Sequence, residues 1–550
     1  MSGQLHERCL AVREFPIPHT AAQTATVVKQ VLSEFVVPED HCLFAVTDNC
    51  SVMEACVRDH FPKGKRFYCV AHWLQLVISG ALASSGAMEA VERVRAYVRK
   101  VLRRDKWWQQ LAVHQQAEYK GREPLKLFLD GGVRWSALFL MCERVAAVEE
   151  AIKKHMGEVM VAQRAGRELE KDSDEEGDGS MRMTENDLAV VRQLVHVLRP
   201  LYNATIAFQA DSAKSSISVI IPQVIRLINR LKPGDLVVRP AKLKNGPQGE
   251  LLTEKEAVVI GEADLHEPVK ELRAALLAEV RQRFGSGSRL DVQGLTAFYY
   301  AATFLDHRKR DLPSIGYANP TTCAATRDFM INTAARWMEW EERLRHMQQQ
   351  QNHHHCQQQQ QQDGGQRGGA SGGGGWMMEH ESEELTAEQA EYLEHAALAA
   401  ATTVRVTGGS VVGQRQLLSL DDHKARVERE LDRWMAHKVP FADLSIPPLV
   451  WWADEGMRRN FPYISATARR LLSIPASSAG AERVFSQSGL TLSDLRQKMG
   501  TKTLEDLMVL KYQHSEGHVY LTPSEWAELE LEMEYLPRHT SDWRIHPTLT

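Results

Sequence analysis

No stretch of these 550 residues approaches the roughly 20 consecutive apolar positions that a membrane span requires. The longest apolar stretches, such as Ile217 to Ile225, are broken by Ser, Pro and Gln, so no membrane partner is expected. Met1 to Glu14 lacks the basic-then-apolar order of a secretory leader. The 8 cysteines fall at irregular spacings without a framework of pairs. That excludes a disulfide-stapled extracellular scaffold and sets the expectation of a reducing, intracellular compartment. Positive charge is not in excess either: 66 Lys and Arg stand against 71 Asp and Glu, for a net charge of −5. Any contact with nucleic acid must therefore come from a local basic patch. Arg308-Lys309-Arg310 is too brief to serve as a nuclear address.

What is present is ordinary for a folded protein, 43% hydrophobic and 25% charged residues. The length is too great for one compact core and implies several domains or one domain with a large insertion. The opening reads as strand, helix, strand, helix. Cys9 to Val12 is a short apolar run, Thr20 to Phe35 carries apolar residues at helical spacing, and Cys42 to Val46 is a strand ending at Thr47-Asp48-Asn49. A helix follows to about His60, then a run from Phe67 to Val70 leads into a helix over Trp73 to Leu82. Beyond residue 87 helices dominate. Thr184-x-x-Asp187 is a start signal for a helix through Leu198, and a helix over Ile221 to Leu231 stops at Lys232-Pro233-Gly234. The acidic run 168–180 and the Gln/His/Gly run 348–375 cannot bury enough apolar surface to offset their chain entropy and read as mobile linkers. Two helices around a break at Gly489 are expected between Ile464 and His514.

Four motifs can carry chemistry. Asp48, at the end of a strand, suits either a metal ligand projecting beyond a sheet edge or a helix N-cap. Cys69-x-x-His72 is half of a zinc site without an obvious second half, or a buried Cys beside a hydrogen-bonded His. Arg134-Trp135 can hold a phosphate and stack on an unpaired base, or pack as an ordinary core Trp. The doublets Trp107-Trp108 and Trp451-Trp452 read as core or interface. Lastly, Ser478, Ala479, Glu482, Phe485 and Ser486 share one helical stripe, which sets a carboxylate among apolar neighbours. Such a carboxylate needs a metal or a pairing cation such as Arg496.

Taken in order, these motifs resemble the hAT superfamily of transposases and the domesticated BED-finger proteins derived from them. Val46-Thr47-Asp48-Asn49, Cys69-x-x-His72 and Val133-Arg134-Trp135-Ser136 are similar to that family's catalytic core. The runs 197–201 and 216–222 resemble its helical insertion, and Leu305-Asp306-His307-Arg308-Lys309 is similar to its Leu-Asp-Pro-Arg-Lys motif with His in place of Pro. The end resembles the hAT carboxy-terminal dimerisation region, with Pro475, Ser478, Glu482, Arg483, Phe485, Ser486, Arg496, Leu504, Leu507 and Leu510 carrying the likeness.

The resemblance implies an α/β RNase H-like core, amino-terminally truncated, interrupted by a large all-α insertion and closed by a helical dimerisation region, the whole mostly helical. The expected division is 1–137 for the first part of the core and 138–345 for the insertion. A low-complexity linker over 346–380, the rest of the insertion over 381–462, the dimerisation region over 463–515 and a tail over 516–550 complete it. Asp48 and Glu482 correspond to the second and third of three metal-binding acids. Arg134 and Trp135, with Cys69 and His72, correspond to positions at the DNA. The family's first Asp would precede the strand resembled by Cys9 to Val12, and no Asp occurs before Asp40. No BED-type zinc pattern is found either. The expectation is a non-catalytic nuclear protein, without a cofactor, that dimerises or oligomerises with itself and binds DNA. The alternative is an active, magnesium- or manganese-dependent transposase read from a truncated frame.

Overall fold

A computed structural model describes residues 10–13, 18–35, 37, 39, 44–61, 64–119, 123–131, 135–164, 183–209, 215–238, 258–284, 288, 294–310, 320–365, 417–491, 502–504 and 506–509. They are mostly helical and divide into two compact units, Met1–Met330 with Trp434–Thr550, and Ile331–Arg433.

The first unit opens with α1 (Ala21–Glu34), started by a reciprocal cap in which Thr20 Oγ1 accepts the Gln23 N–H at 3.2 Å and Gln23 Oε1 accepts the Thr20 N–H at 3.4 Å. Strand β1 (Phe44–Thr47) and strand β2 (Lys65–Tyr68) run parallel, Phe44 opposite Lys65 and Thr47 opposite Tyr68. The crossover between them is α2 (Ser51–His60), as a parallel pair requires. Phe67 faces inward at 1% exposure, packed edge-on to Phe44 and Phe298.

Helices then build the body: α3 (Val70–Ser84), α4 (Ala87–Arg103), α5 (Asp105–Glu118), α6 (Trp135–Ala147), α7 (Glu149–Arg164) and α8 (Glu185–Gln209). In α4, Ala87, Ala90, Val91, Val94, Val98 and Val101 recur every three or four residues and form its buried stripe. The central element is α8, packed against α3, α4 and α6. Its start is the expected one: Thr184 Oγ1 accepts the Asp187 N–H at 3.2 Å, and Asp187 Oδ2 accepts the Thr184 N–H at 2.8 Å. Asp187 also receives Arg93 of α4 at 2.8 Å, so one carboxylate caps a helix and fastens its neighbour. Burial works against that charge, but hydrogen bonds from Arg93 and Thr184 hold its pKa below the usual range.

After the 3-10 turn Ile217–Val219 come α9 (Ile220–Leu231), the antiparallel strands β3 (Leu236–Val238) and β4 (Val258–Ile260), α10 (Glu267–Phe284) and α11 (Leu295–Leu305). α9 ends where Lys232-Pro233-Gly234 predicts, with Gly234 at φ 135, a conformation only glycine adopts readily. Helix α12 (Pro320–Gly365) and helix α13 (Leu420–Ala436) follow. In the second unit Ala334, Ala335, Val427 and Leu431 are buried, and His423 Nε2 lies 3.0 Å from Glu342 Oε2.

The end of the described chain comprises α14 (Pro448–Ala453), α15 (Glu455–Asn460), α16 (Pro462–Leu472) and α17 (Ala479–Thr491). Trp451 and Trp452 are core residues. Trp452 lies 4.9 Å from Trp434 and donates its indole N–H to the Leu305 carbonyl at 2.7 Å. His307 stacks on Trp451 at 4.5 Å and 12°, and the Arg310 guanidinium sits 4.5 Å over Trp434. Beneath them Asp306, fully buried, accepts from Arg308 at 2.9 Å, from Ser218 at 2.8 Å and from Lys309. Burial opposes its ionisation, yet these donors hold its pKa far below the usual carboxylate range.

Several expectations fail. Leu10 to Arg13 form no strand; Val12 instead packs against Val484, Leu504 and Met508 near the other end of the chain. The expected linker at 348–375 is helical to Gly365, because α12 continues through the Gln run, and Gln is a good helix former. Gly489 lies inside α17; the break falls earlier, where Pro475 bridges to Ser216. β3 and β4 were not anticipated. Where an α/β RNase H-like core was expected, the described residues show two separate two-stranded sheets, β1–β2 and β3–β4, in a mostly helical chain. The acidic run 168–180 lies outside the described residues.

Candidate functional site

The site is built where the β1–β2 pair ends. The ladder extends one residue beyond the strands, the Cys69 N–H donating to the Thr47 carbonyl at 2.8 Å. Cys69 then becomes the N-cap of α3 without using its side chain as a cap. Its thiol, fully buried, accepts the Ser478 N–H at 3.4 Å, and the Val70 N–H donates to the Ala476 carbonyl at 3.1 Å. The chain just before α17 is thus held against the tip of the strand pair. It is stitched from the other side too: Ile217 N–H to the Ile474 carbonyl at 2.9 Å, Ala476 N–H to the Ser215 carbonyl at 3.0 Å, and Ser477 Oγ to the Phe208 carbonyl at 2.6 Å.

This brings the segments bearing the two expected acids to one place. Asp48 directly follows Thr47, and Glu482 stands one turn into α17, its N–H bonded to the Ser478 carbonyl at 3.1 Å. Asp48 is exposed, and its carboxylate accepts the Cys50 N–H at 3.4 Å, a turn contact; the cap position itself belongs to Cys50. Arg66 fixes the strand tip through Thr47 Oγ1 at 2.7 Å, through the Asp48 carbonyl and by lying 4.3 Å over the Tyr68 ring. Beside Asp48, both amide atoms of Asn49 are buried without a hydrogen-bond partner. Among the described residues no three His, Cys, Asp or Glu side chains group closely enough to hold a metal ion. Asp48 and Glu482 therefore do not by themselves fit the three-acid centre the resemblance implies.

The other candidates divide. Trp135 is a core residue, 5% exposed, with Phe139 and Tyr202 each 6.2 Å away edge-on. His72 is half-buried in the first turn of α3. Pro475 and Ser478 join segments within the chain, and Arg483 donates to the Gln209 carbonyl at 2.9 Å. Leu504 is buried with Val484 and Met508, whereas Leu507 is half-buried. The expected stripe on α17 is rotated: Ala479 and Val484 are buried, and Phe485 is 63% exposed. Arg134, Arg496, Leu510 and the side chain of Ser486 lie outside the described residues.

Sequence reasoning passed over two features. The first is a cleft along α9 lined by Arg199, Arg226, Arg230, Lys232 and Arg273. The i, i+4 spacing of Arg226 and Arg230 was its one local signal. The second is a set of exposed apolar side chains near the end: Met435 (52%), Phe441 (89%), Leu444 (38%), Val450 (36%) and Phe485.

A helical body with a parallel strand pair at one end, closed by a returning carboxy-terminal segment, defines the general class. Comparison with known proteins then names the lineage. Residues 430–513 match the hAT family C-terminal dimerisation region, and residues 67–176 match the ZBED1 RNase-like helical domain. In these two regions the chain is similar to hAT-family, transposase-like proteins. The dimerisation region opens earlier than expected, at 430, and so takes in Trp434, Trp451 and Trp452. Two maize (Zea mays) proteins are similar over 98 residues at 28% identity, a putative AC transposase and a putative AC9 transposase. Each match takes in 18% of this chain, and 12% and 11% of those relatives respectively. Among the described residues no single helix is long and apolar enough to cross a membrane.

Proposed function

We infer that this chain is a transposase-derived nuclear protein that associates with itself through residues 430–513, contacts DNA, and does not carry out strand transfer on its own. One observation carries the self-association. In a region matching a dimerisation family, the interior is shut around Trp434 and Trp452 while Phe441 and Phe485 face outward at 89% and 63% exposure. Fully burying one such side chain is worth about 1.5–3 kcal/mol. Multi-angle light scattering at micromolar concentration is expected to give at least twice the chain mass; a monomer contradicts the reading. The lack of transfer activity is supported by the spread of the acidic side chains: a two-metal displacement needs clustered ligands, and among the described residues no three His, Cys, Asp or Glu side chains group closely enough to hold a metal ion.

A second reading is strand transfer by a polypeptide that contains this chain. It is favoured by the convergence of the Asp48 and Glu482 segments and by the unpartnered Asn49 amide beside Asp48. Labelled terminal-repeat duplex incubated in magnesium or manganese with the chain, and separately with a longer polypeptide that contains it, separates the two. No cleavage is expected; cleavage that Glu482→Gln abolishes establishes the second reading.

A further inference from the structure

A cleft of about 780 Å³ opens between α8, α9 and the turn that follows α9. Five cationic side chains line it, Arg199 from α8, Arg226 and Arg230 from α9, Lys232 from the turn and Arg273 from α10, against the carboxylates of Glu143 and Asp235. In a chain whose net charge is −5, that is a local reversal of sign. Both carboxylates are engaged: Glu143 pairs with Arg199 at 2.5 Å, and Asp235 Oδ1 accepts the Glu262 N–H at 3.3 Å. Arg226, Arg230 and Lys232 are exposed, and among the described residues none of them has an ion pair. Their charge is not neutralised by the groups they do meet: Arg226 donates to the amide oxygen of Gln223 at 3.3 Å and Lys232 to that of Asn229 at 2.9 Å.

Helix electrostatics accounts for part of this set, since cations complement the negative end of a helix dipole, and Arg230 and Lys232 sit at the end of α9. It does not account for Arg226, whereas Arg199 is paired with Glu143. The floor is built as well. Arg273, 6% exposed, pairs with Glu262 at 3.6 Å and donates to the carbonyl of Gly234 at 2.7 Å and to that of Lys232, which covers the carbonyls that would repel an anion and leaves Arg226, Arg230 and Lys232 as the cations offered to a ligand. Its Nε is buried without a hydrogen-bond partner. His196 lines the same cleft and is kept neutral to about 4, first by burial and then by Arg199 and Arg192, a further sign of the positive field there.

We propose that this cleft binds successive phosphate groups, either the phosphodiester backbone of a nucleic acid or a free polyphosphate. In its nucleic-acid form the proposal rests on the DNA-contact part of the function inferred above. Guanidinium groups favour phosphate oxygens because their N–H groups are arranged to donate in pairs, and a volume of about 780 Å³ lies in the range of ligand-sized sites.

The test uses the full chain and the triple variant Arg226→Gln/Arg230→Gln/Lys232→Gln, whose positions are exposed, so its melting temperature is expected to match the wild type. Two probes are titrated between about 50 and 200 mM salt, a labelled duplex DNA by fluorescence anisotropy and inorganic tripolyphosphate by calorimetry. If the wild type binds duplex, the variant is expected to weaken it at least tenfold at the lower salt and to flatten the log-log salt slope by about 2–3. If the wild type binds tripolyphosphate alone and the variant does not, the cleft stands as a polyphosphate site and the DNA-contact reading fails. Duplex bound by both chains with equal affinity and slope, and no variant-sensitive tripolyphosphate binding, overturns the cleft and leaves DNA contact to another surface. Binding of neither probe by the wild type overturns both.

Discussion

Two sets of apolar side chains within residues 430–513 live in opposite conditions. Trp434, Trp451, Trp452 and Phe461 are at most 5% exposed and touch one another ring to ring, with His307 and Arg310 inserted from another part of the chain. Phe441 and Phe485 have large rings of the same kind and turn them to solvent. The inner set joins the last helices to the segment 305–310 and so belongs to the fold. Phe441, at 89% exposure, adds little to the fold of a single chain, because burial in a monomer is what makes an aromatic stabilising. The difference separates what holds this region together from what it offers to another copy.

The interior can be broken at its charge. Asp306 is fully buried and is the anion that Arg308 and Lys309 share. Asp306→Asn leaves those cations without their anion, and unfolding in urea is expected to show a loss of about 3–5 kcal/mol. A loss below about 1 kcal/mol would mean that the network does not hold the two segments together.

A smaller effect comes from pH. Burial, with His114 adding to it, lowers His155 to about 4; burial lowers His307 and His437 in the same direction. An unfolded histidine protonates near 6.5, so between about 6.5 and 4 the unfolded chain binds more protons than the folded one. Stability is therefore fully present above that window and falls as pH falls through it. His155, at 0% exposure, contributes on the order of 2–3 kcal/mol. Denaturation curves from about pH 7 to about pH 4 are expected to show the decline, and His155→Gln, which retains an acceptor for Tyr97, to lessen it.

The smallest expected effect on stability sharpens the comparison most. Phe441→Ser and Phe485→Ser are each expected to change monomer stability, in urea at high dilution, by no more than about 0.5 kcal/mol. A loss of several kcal/mol from either would place that ring in the interior after all.

Much of the helical body was legible in the sequence because its signals are local. Thr184 and Asp187 lie three residues apart and cap each other as their types require, and Lys232-Pro233-Gly234 stops α9 by backbone geometry alone. Trp451-Trp452 read as core or interface, and the structure buries both. What failed depended on contacts remote in the chain. Nothing near Val12 announces that its neighbours are Val484 and Met508 rather than a strand. On α17, periodicity marked the stripe of Ala479 and Phe485, but the tertiary surroundings chose the side with Val484. The basic cleft collects Arg199, Arg226 and Arg273 from three helices, so no window along the sequence contains it. At the strand tip the sequence indicated Asp48 and Glu482, and their segments do converge. The contact that joins them, the Cys69 thiol with the Ser478 N–H, was not visible as such.

The most direct test is sedimentation equilibrium of the intact chain beside the double variant Phe441→Ser/Phe485→Ser. A wild-type chain that associates reversibly at micromolar concentration, and a folded double variant that stays monomeric there, are the predicted results. A wild type that is monomeric throughout, or a double variant that associates just as tightly, would contradict the claim that these outward rings form the self-association surface.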